Sequence, residues 1–209
     1  DDPTYISSDP YSEQITGNFS MTYITIGSAF EDLSGENYYS EAYENFLQYR
    51  TTISNRWGED RVITEPHERD GSEYTKGYAI TSSTVVRAAF LASYGWYYDE
   101  KSVPLDLFQK IPLPNWSIKY DGLKDIPFMK KLFKSVNISH AYRSSYNIGS
   151  YINNTDFSFG IGQIANDLID SSLNYIPQFE FNSVSINEQF SPLINVDMTL
   201  VNNLSTRFE

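Results

Sequence analysis

Hydrophobic and polar residues alternate along residues 133–154 for longer than in most strands of soluble proteins. The stretch reads FKSVNISHAYRSSYNIGSYINN, and its even-numbered residues share one face because successive side chains of a strand point to opposite sides. Soluble strands usually run about 3 to 10 residues, whereas a tilted strand needs about 9 to 11 residues to cross bilayer hydrocarbon. The length of the alternation favours a membrane-crossing strand.

A second long alternation covers residues 184–200, disturbed by Glu188 and Leu193. Shorter strands are predicted at 18–26, at 112–120 and from 204 onward. The polar face of the long strands carries Asn, Ser, Arg, Gln, Asp and Thr, which would line a wet lumen, and the apolar face would meet lipid. The lipid-facing residues predicted in this way are Val136, Ile138, Tyr142, Tyr146, Ile148, Phe190, Ile194, Val196 and Met198. The predicted lumen-facing residues are Asn137, Ser139, Arg143, Asn147, Gln189, Asn195 and Asp197.

The register of the last hairpin follows from these faces, because cross-strand partners point the same way. A two-residue loop would pair Leu200 with Ser205, apolar against polar. A three-residue loop, 201–203, pairs Leu200 with Leu204 instead, and continues with the pairs Met198–Thr206 and Val196–Phe208. It needs one residue of positive φ, for which Asn203 is the candidate.

Two segments between residues 27 and 111 have helical periodicity. The first begins at the candidate cap Ser40 and ends at Gly58. Its apolar and aromatic positions include Tyr43, Phe46, Leu47, Ile53 and Trp57. The second ends at Gly95, and its apolar stripe is Val85, Ala88, Ala89 and Ala92. Packing of these stripes is the expected role of both helices.

Together these elements predict a mainly β fold, a fragment of an antiparallel transmembrane β-barrel with helical extracellular insertions. The predicted divisions are 1–26, a polar lead-in and first barrel strand; 27–111, a helical external insertion; and 112–209, barrel-wall strands with one external loop at about 153–182. Outer-membrane barrels have short periplasmic turns and long external loops. One assignment fits that rule: 18–26 rises, 112–120 descends, 121–134 is a periplasmic turn, 135–152 rises, 184–200 descends and 204 onward rises.

Five strands cannot close a barrel, for which about 8 is the lower limit. The chain opens without methionine and stops within a predicted strand. We therefore expect it to be a piece of a longer polypeptide, with the remainder of the barrel supplied by sequence outside it.

Composition removes several classes of function. The net charge of -12, with 27 acidic against 15 basic residues, argues against a nucleic-acid partner. The absence of cysteine excludes disulfides and thiolate metal sites, and no run of 18 apolar residues predicts a transmembrane helix. The 16% aromatic content suits aromatic girdles at a bilayer, carbohydrate-binding surfaces or β-sheet cores alike.

The sequence offers little chemistry for catalysis. His67 and His140 are isolated, and no phosphate-binding loop or nucleophile elbow occurs. An acidic loop carries a possible Ca²⁺ cluster, for which solubility is the ordinary role; its residues are Glu65, Glu68, Asp70 and Glu73. Glu188 is either a functional carboxylate or a residue at an interface. We predict no catalytic residue, no metal site and no cofactor, and hence no enzyme.

Two other functions fit the same pattern. One is a soluble extracellular β-rich module that binds glycan or protein with its surplus Tyr and Trp; the other is a piece of a nutrient-uptake barrel. The first alternative differs from a barrel wall over Tyr142, Tyr146, Phe190 and Ile194, which would lie in a protein core.

Two stretches of the chain are similar to a known family. KIPLPNWSIKYDGLKDIPFMKKLFKSVNISHAYRSSYNIGSY, at 110–151, and IPQFEFNSVSINEQFSPLINVDMTLVNNLSTRFE, near the end, resemble the SprA/Sov family, the outer-membrane translocon of the Bacteroidetes type IX secretion system. Residues 43–56 and 89–94 resemble it as well. Members run to thousands of residues, so this chain would be a fragment.

The resemblance implies a single-chain barrel of about 36 strands that exports folded cargo proteins and serves gliding motility. It implies an outer-membrane location in Gram-negative Bacteroidetes, and as partners the remainder of the barrel, membrane lipid, secreted cargo, a PorV-like barrel and a periplasmic plug protein. The family has no catalytic motif, so no residue is carried over as a catalytic site.

Overall fold

The computed structural model describes residues 14–28, 30–31, 39–58, 64–66, 73–154, 157 and 169–209, with backbone alone at 64–66. His67, Glu68 and Asp70 lie outside these residues, as does part of the external loop predicted at about 153–182.

The described chain is mainly antiparallel β sheet with a few helices. Its elements are β1 (Thr16–Thr22), α1 (Glu41–Trp57), β2 (Thr64–Pro66), β3 (Glu73–Thr75), α2 (Ser83–Tyr94), β4 (Trp116–Tyr120), a 3₁₀ turn (Gly122–Asp125), α3 (Pro127–Leu132), β5 (Phe133–Asn153), β6 (Phe179–Phe190), β7 (Asn195–Leu200) and β8 (Ser205–Phe208). The predicted β-rich fold class is confirmed at this level.

The long strand β5 is the centre of the main sheet. It pairs with β1, β4, β6 and β7, and β7 pairs in turn with β8. Residues 138–142 of β5 pair with β4, while residues 133–139 pair with β7, so these two partners occupy opposite edges. Because β1 also lies opposite β7 in the sheet order, β1 and β4 follow one another along a single edge of β5.

The direction of β1 differs from the prediction. The Asn153 amide donates to the Ile15 carbonyl, and the Ser150 amide donates to Asn18 Oδ1, so residue numbers rise on β1 as they fall on β5. β1 is therefore antiparallel to β5, as β4 is, and the expectation that 18–26 and 135–152 both rise is wrong. The physical reason is that β1 and β4 lie one after the other along the same edge of β5, and residues 27–111 are inserted between them. The Leu113 amide donates a hydrogen bond to the Thr22 carbonyl where the chain leaves and returns.

The predicted strand 184–200 is also wrong as a single element. One strand begins earlier, at Phe179, and ends at Phe190, and a separate strand begins at Asn195. The gap contains Pro192, which has no amide hydrogen for a ladder bond. Leu193 and Ile194 lie in this gap and are exposed.

The last hairpin is confirmed in its predicted register. Val196 pairs with Phe208 and Met198 with Thr206, and the Leu200 amide donates to the Leu204 carbonyl. Asn203 has the positive φ, 66°, that the three-residue loop requires.

Both predicted helices of the insertion are confirmed. The Ser40 hydroxyl accepts a hydrogen bond from the Tyr43 amide at the start of α1, and Gly58 follows its last residue. In α2, all four residues of the predicted apolar stripe are buried, and Gly95 follows the end of the helix.

The chain divides into two compact units. The larger unit comprises Asp1–Ser20, Ile26–Lys110 and Asn147–Ser185, and so takes in nearly all of the predicted insertion. Its core lies where α1 and α2 pack, around the fully buried Ile53, Val85 and Leu91. Each such side chain contributes about 1.5 to 3 kcal/mol by leaving water.

The smaller unit comprises Met21–Thr25, Ile111–Tyr146 and Ile186–Glu209. It contains β4, the whole β5 segment that pairs with β4 and β7, and the β7–β8 hairpin. Its largest fully buried side chains are three tyrosines and a valine, namely Tyr23, Tyr142, Tyr146 and Val136.

Candidate functional site

The sheet of the smaller unit has two chemically different faces, which the register of its strands defines. Tyr120 pairs with Ile138, Ile138 with Val196, and Val196 with Phe208, so one apolar row crosses all four strands. Partners in an antiparallel ladder point to the same side. We call this side the apolar face; its members are Ile118, Tyr120, Val136, Ile138, Val196, Met198 and Phe208.

Much of the apolar face is open to solvent. Ile118 is 56% exposed, Tyr120 53% and Phe208 59%. Val136 alone among its members is fully buried, while Ile138, Val196 and Met198 are partly exposed. Large apolar side chains that remain exposed in a continuous row are the mark of a surface with a partner or a membrane.

The opposite side of the same strands is polar except at Ala141, which pairs with Ser117. Asn137 pairs with Asp197, and Asp197 pairs with Arg207. We call this side the polar face; its members are Lys119, Ser135, Asn137, Ser139, Asn195, Asp197, Thr199, Ser205 and Arg207. The pairs Lys119–Ser139, Ser139–Asn195, Ser135–Thr199 and Thr199–Ser205 complete its cross-strand rows.

Hydrogen bonds connect the side chains of the polar face. Asn195 Nδ2 donates to Asp197 Oδ2 at 2.9 Å and lies 3.3 Å from Ser139 Oγ. Arg207 Nε donates to Asp197 Oδ1 at 2.6 Å. The Arg207–Asp197 ion pair is largely exposed, so solvent screens it and its own contribution to stability is small. The face is thus a polar surface whose side chains are linked by hydrogen bonds.

The structure brings together four of the predicted lipid-facing residues on one face and four of the predicted lumen-facing residues on the other. The first set is Val136, Ile138, Val196 and Met198, and the second is Asn137, Ser139, Asn195 and Asp197. The register therefore fits the predicted division into two faces, and which of them meets lipid stays a prediction.

The remaining predicted residues lie elsewhere. Tyr142, Tyr146 and Ile148 are covered by other side chains of this chain, which narrows the surface that lipid could meet to the open part of the apolar face. Phe190 is partly buried beside Tyr142, and Ile194 is 60% exposed in the gap between β6 and β7. Arg143 and Gln189 are exposed, and Asn147 accepts a hydrogen bond from the Ser20 hydroxyl.

An aromatic cluster with a buried polar centre adjoins the apolar face. The Trp116 ring stacks on Tyr142, with 4.3 Å between ring centroids, and Phe190 packs against Tyr142 at 5.1 Å. The Tyr142 hydroxyl donates to Glu188 Oε1 at 2.6 Å, and the Thr25 hydroxyl donates to the same oxygen at 2.9 Å. Glu188 is therefore a structural acceptor for two hydroxyl groups, which explains a carboxylate on an otherwise apolar stretch.

Sequence reasoning missed this cluster. Thr25 lies 163 residues from Glu188 and Tyr142 lies 46 residues from it, and nothing in the local pattern indicates that they meet. The only signal was Glu188 itself, a charged residue at an apolar position. His140, isolated in sequence, has Nδ1 2.5 Å from the Leu193 carbonyl oxygen and packs beside Trp116.

The larger unit contains a cavity of about 640 Å³. Seven of its sixteen lining residues are aromatic, and Trp57 and Tyr78 stack along one side with their ring planes 19° apart. The cavity is also lined by Phe108, Phe157, Tyr175, Phe179 and Phe181, with the polar side chains Thr84, Arg87, Asp106, Lys110 and Gln178. Its size and composition are those of a small-molecule or short-peptide site.

Among the described residues, no three His, Cys, Asp or Glu side chains are placed to hold a metal ion together. Of the predicted acidic cluster, Glu73 is described and lies on β3. No helix in the described part of the chain is both long and apolar enough to cross a membrane.

A scan against protein-family models found no match for this chain, and a search of curated proteins found none either.

Proposed function

We propose that this chain is a segment of the wall of a transmembrane β-barrel, with the apolar face of its smaller unit against lipid and the polar face toward a water-filled lumen. The observation that carries the proposal is the exposed apolar row Tyr120–Ile138–Val196–Phe208 backed by the hydrogen-bonded polar face. An outward apolar band and a polar interior on alternate residues are what a membrane barrel requires.

Strand length supports the same proposal. The β5 residues that pair with β4 or β7 run from 133 to 142, ten residues in all. A tilted strand needs about 9 to 11 residues to cross the hydrocarbon of a bilayer. The apolar face belongs to this stretch, whereas the buried residues Tyr146 and Ile148 lie beyond it on β5.

The resemblance of residues 110–151 and 175–209 to the SprA/Sov family refines the proposal. On that basis the barrel is a protein-conducting channel of the outer membrane that exports folded cargo in type IX secretion and supports gliding motility. Its partners are the remainder of the same barrel, the cargo, a PorV-like barrel, a periplasmic plug and membrane lipid. The helical segment of the larger unit is an external insertion, and no catalytic step is involved.

The proposal is tested by placing a charge on either face of one strand. Ile138→Arg puts a cation on the apolar face, and its matched control, Asn137→Arg, puts the same cation on the polar face one residue away. An arginine at the middle of a bilayer costs about 2 to 4 kcal/mol on the lipid side of a barrel strand. We expect Ile138→Arg to reduce insertion of the membrane-assembled protein strongly and Asn137→Arg to leave it nearly unchanged.

The measurement is the fraction of each variant that resists extraction of membranes by alkaline carbonate. Equal losses for the two variants would contradict the assignment of the faces. Recovery of the unsubstituted protein in the soluble fraction of its native source would contradict the barrel itself.

The aromatic cavity favours a second candidate, a binding module for a glycan or a peptide. Stacked Trp57 and Tyr78 beside polar side chains suit the apolar faces and hydroxyl groups of a sugar ring. Titration with oligosaccharides, followed by Trp fluorescence, tests it. A response that Trp57→Phe removes would support binding in this cavity, and no response to any sugar would exclude a glycan.

A further inference from the structure

Lysines concentrate at one end of the smaller unit's sheet. Residues 121–134, which we call the basic turn, contain four of the chain's eight lysines and only two aspartates, giving a local charge of +2 in a chain of net charge -12. Lys124, Lys130, Lys131 and Lys134 all lie between the end of β4 and the second residue of β5. A local reversal of an otherwise acidic surface points to an anionic partner.

The basic turn and the β7–β8 loop form one cleft. Its volume is about 660 Å³, and it is lined by Lys124, Asp125, Lys130, Phe133, Lys134, Val201 and Asn203. The Val201 amide donates to the Leu132 carbonyl at 3.1 Å, and Lys134 Nζ donates to Asn203 Oδ1 at 3.3 Å. These bonds hold the loop against the turn, so the lysines are presented from a defined surface.

Asp121 and Asp125 offset only part of this charge. Lys124 Nζ lies 3.9 Å from Asp121 Oδ2, and Lys130 Nζ lies 3.7 Å from Asp125 Oδ1. Both separations are long for ion pairs between solvated side chains, which contribute little to stability. Exchanging such a contact for a phosphate oxygen therefore costs little.

Exposed apolar side chains surround the lysines. Phe128 is 68% exposed and Ile126 47%, and across the cleft Val201 is 59% and Leu204 62% exposed. Exposing these apolar side chains to water is unfavourable, whereas the boundary between lipid headgroups and acyl chains accommodates apolar side chains and lysines side by side. There, apolar side chains enter the acyl region and lysines extend their ammonium groups to the phosphates.

We propose that the basic turn binds the headgroups of anionic phospholipids and anchors this end of the sheet at a bilayer surface. The proposal rests on the proposed function for that placement, because the basic turn adjoins the ends of β4, β7 and the starts of β5, β8. The ligand chemistry is a phosphodiester with adjacent acyl chains, bound by several ammonium groups and by apolar contact.

The test uses the full 209-residue chain and two kinds of vesicle, phosphatidylcholine alone and phosphatidylcholine mixed with phosphatidylglycerol. The variant carries Lys124→Gln, Lys130→Gln and Lys134→Gln. The matched control carries Arg50→Gln, Lys76→Gln and Lys101→Gln, three cationic residues of the larger unit that do not line its cavity and give the same total charge change. Binding is measured by vesicle flotation at low and high salt.

We expect the unsubstituted chain to prefer the phosphatidylglycerol vesicles, with a preference that falls as salt rises. A lysine near an anionic surface contributes about a 5-fold gain in binding, so the triple variant should lose roughly 100-fold. The control triple should bind as the unsubstituted chain does. Equal binding by the variant and the unsubstituted chain, or equal losses in both triples, would overturn the proposal.

Two further arms separate the alternatives. Inorganic phosphate added at constant ionic strength should not displace the vesicles; full displacement would mean that the cleft takes free phosphate instead of lipid. The fraction of the chain that resists extraction of the vesicles by alkaline carbonate is measured in the same samples. A chain that inserts without any dependence on headgroup charge would refute the lipid site alone, whereas lysine-dependent binding without insertion would refute the barrel wall alone.

Discussion

The two units of this chain bury their hydrophobic residues in opposite ways. In the larger unit, Ile53, Val85 and Leu91 are shielded where α1 and α2 pack, as in an ordinary soluble domain. The smaller unit has fewer residues, yet it holds eleven of the nineteen exposed large hydrophobic side chains of the described chain. Single exposed apolar side chains are ordinary in folded proteins, whereas a contiguous row of them marks a surface that meets a partner or a membrane. The comparison shows that the larger unit has a closed helical core and that the smaller unit carries an open apolar surface.

The largest expected effect contrasts one isoleucine from each unit. Ile53→Ala removes a side chain with no exposed surface and should lower the free energy of unfolding by about 3 kcal/mol. Ile118→Ala removes a side chain that is 56% exposed and should cost less than about 0.5 kcal/mol in water. Urea unfolding of both variants measures the difference. Equal costs would mean that the two units do not differ in how they are stabilised.

A glycine of the larger unit provides the next largest effect. Gly77 has φ +87°, and a Cβ there would overlap the Tyr175 ring. Gly77→Ala should therefore lower the free energy of unfolding by about 2 to 3 kcal/mol. The control is Gly27→Ala, whose Cβ would lie 3.8 Å from Trp96 in ordinary contact. Both variants are compared by thermal unfolding, and a neutral Gly77→Ala would show that this turn is loosely packed.

The buried polar cluster of the smaller unit gives a third prediction. Glu188→Leu removes the acceptor for the Tyr142 and Thr25 hydroxyl groups and should cost about 2 kcal/mol, because two buried donors lose their partner. Glu188→Gln retains an acceptor oxygen and should cost clearly less. Urea unfolding of the two variants distinguishes them. If leucine were tolerated as well as glutamine, the hydrogen bonds would have no net value.

The smallest effect concerns pH in the larger unit. The Ser102 hydroxyl and amide donate to the Asp99 carboxylate and hold its pKa below the ordinary value. Because the pKa is lower in the folded chain than in the unfolded chain, the stabilisation is present above the unfolded value and is lost as pH falls through the folded one. Ser102→Ala should raise the Asp99 pKa, as measured by carboxyl NMR titration. An unchanged titration would assign the lowered pKa to another cause.

The features of this structure that depend on neighbouring residues were predicted from the sequence, whereas those that depend on contacts between distant residues mostly were not. Ser40, Gly58 and Gly95 mark helix ends by capping chemistry, and the matching of faces across strands is enough to place the loop at 201–203. The direction of β1 could not be predicted, because the alternation of apolar and polar residues does not say whether a strand runs parallel or antiparallel to β5.

The gap at 191–194 did leave a signal. Leu193 breaks the alternation, and Pro192 cannot donate within a strand, so together they mark the place where pairing stops. The candidate surfaces were predicted in part for the same reason: alternation separates two faces, but burial of Tyr142 and Tyr146 depends on residues that are distant in sequence.

The placement of β1 and β4 along one edge of β5 has an evolutionary consequence. Because the chain departs after Thr22 and returns at Leu113 beside it, the intervening segment can be gained or lost in a single genetic event while the order of strands stays the same. A chain with a short link at this point would still have β1 and β4 along the same edge of β5.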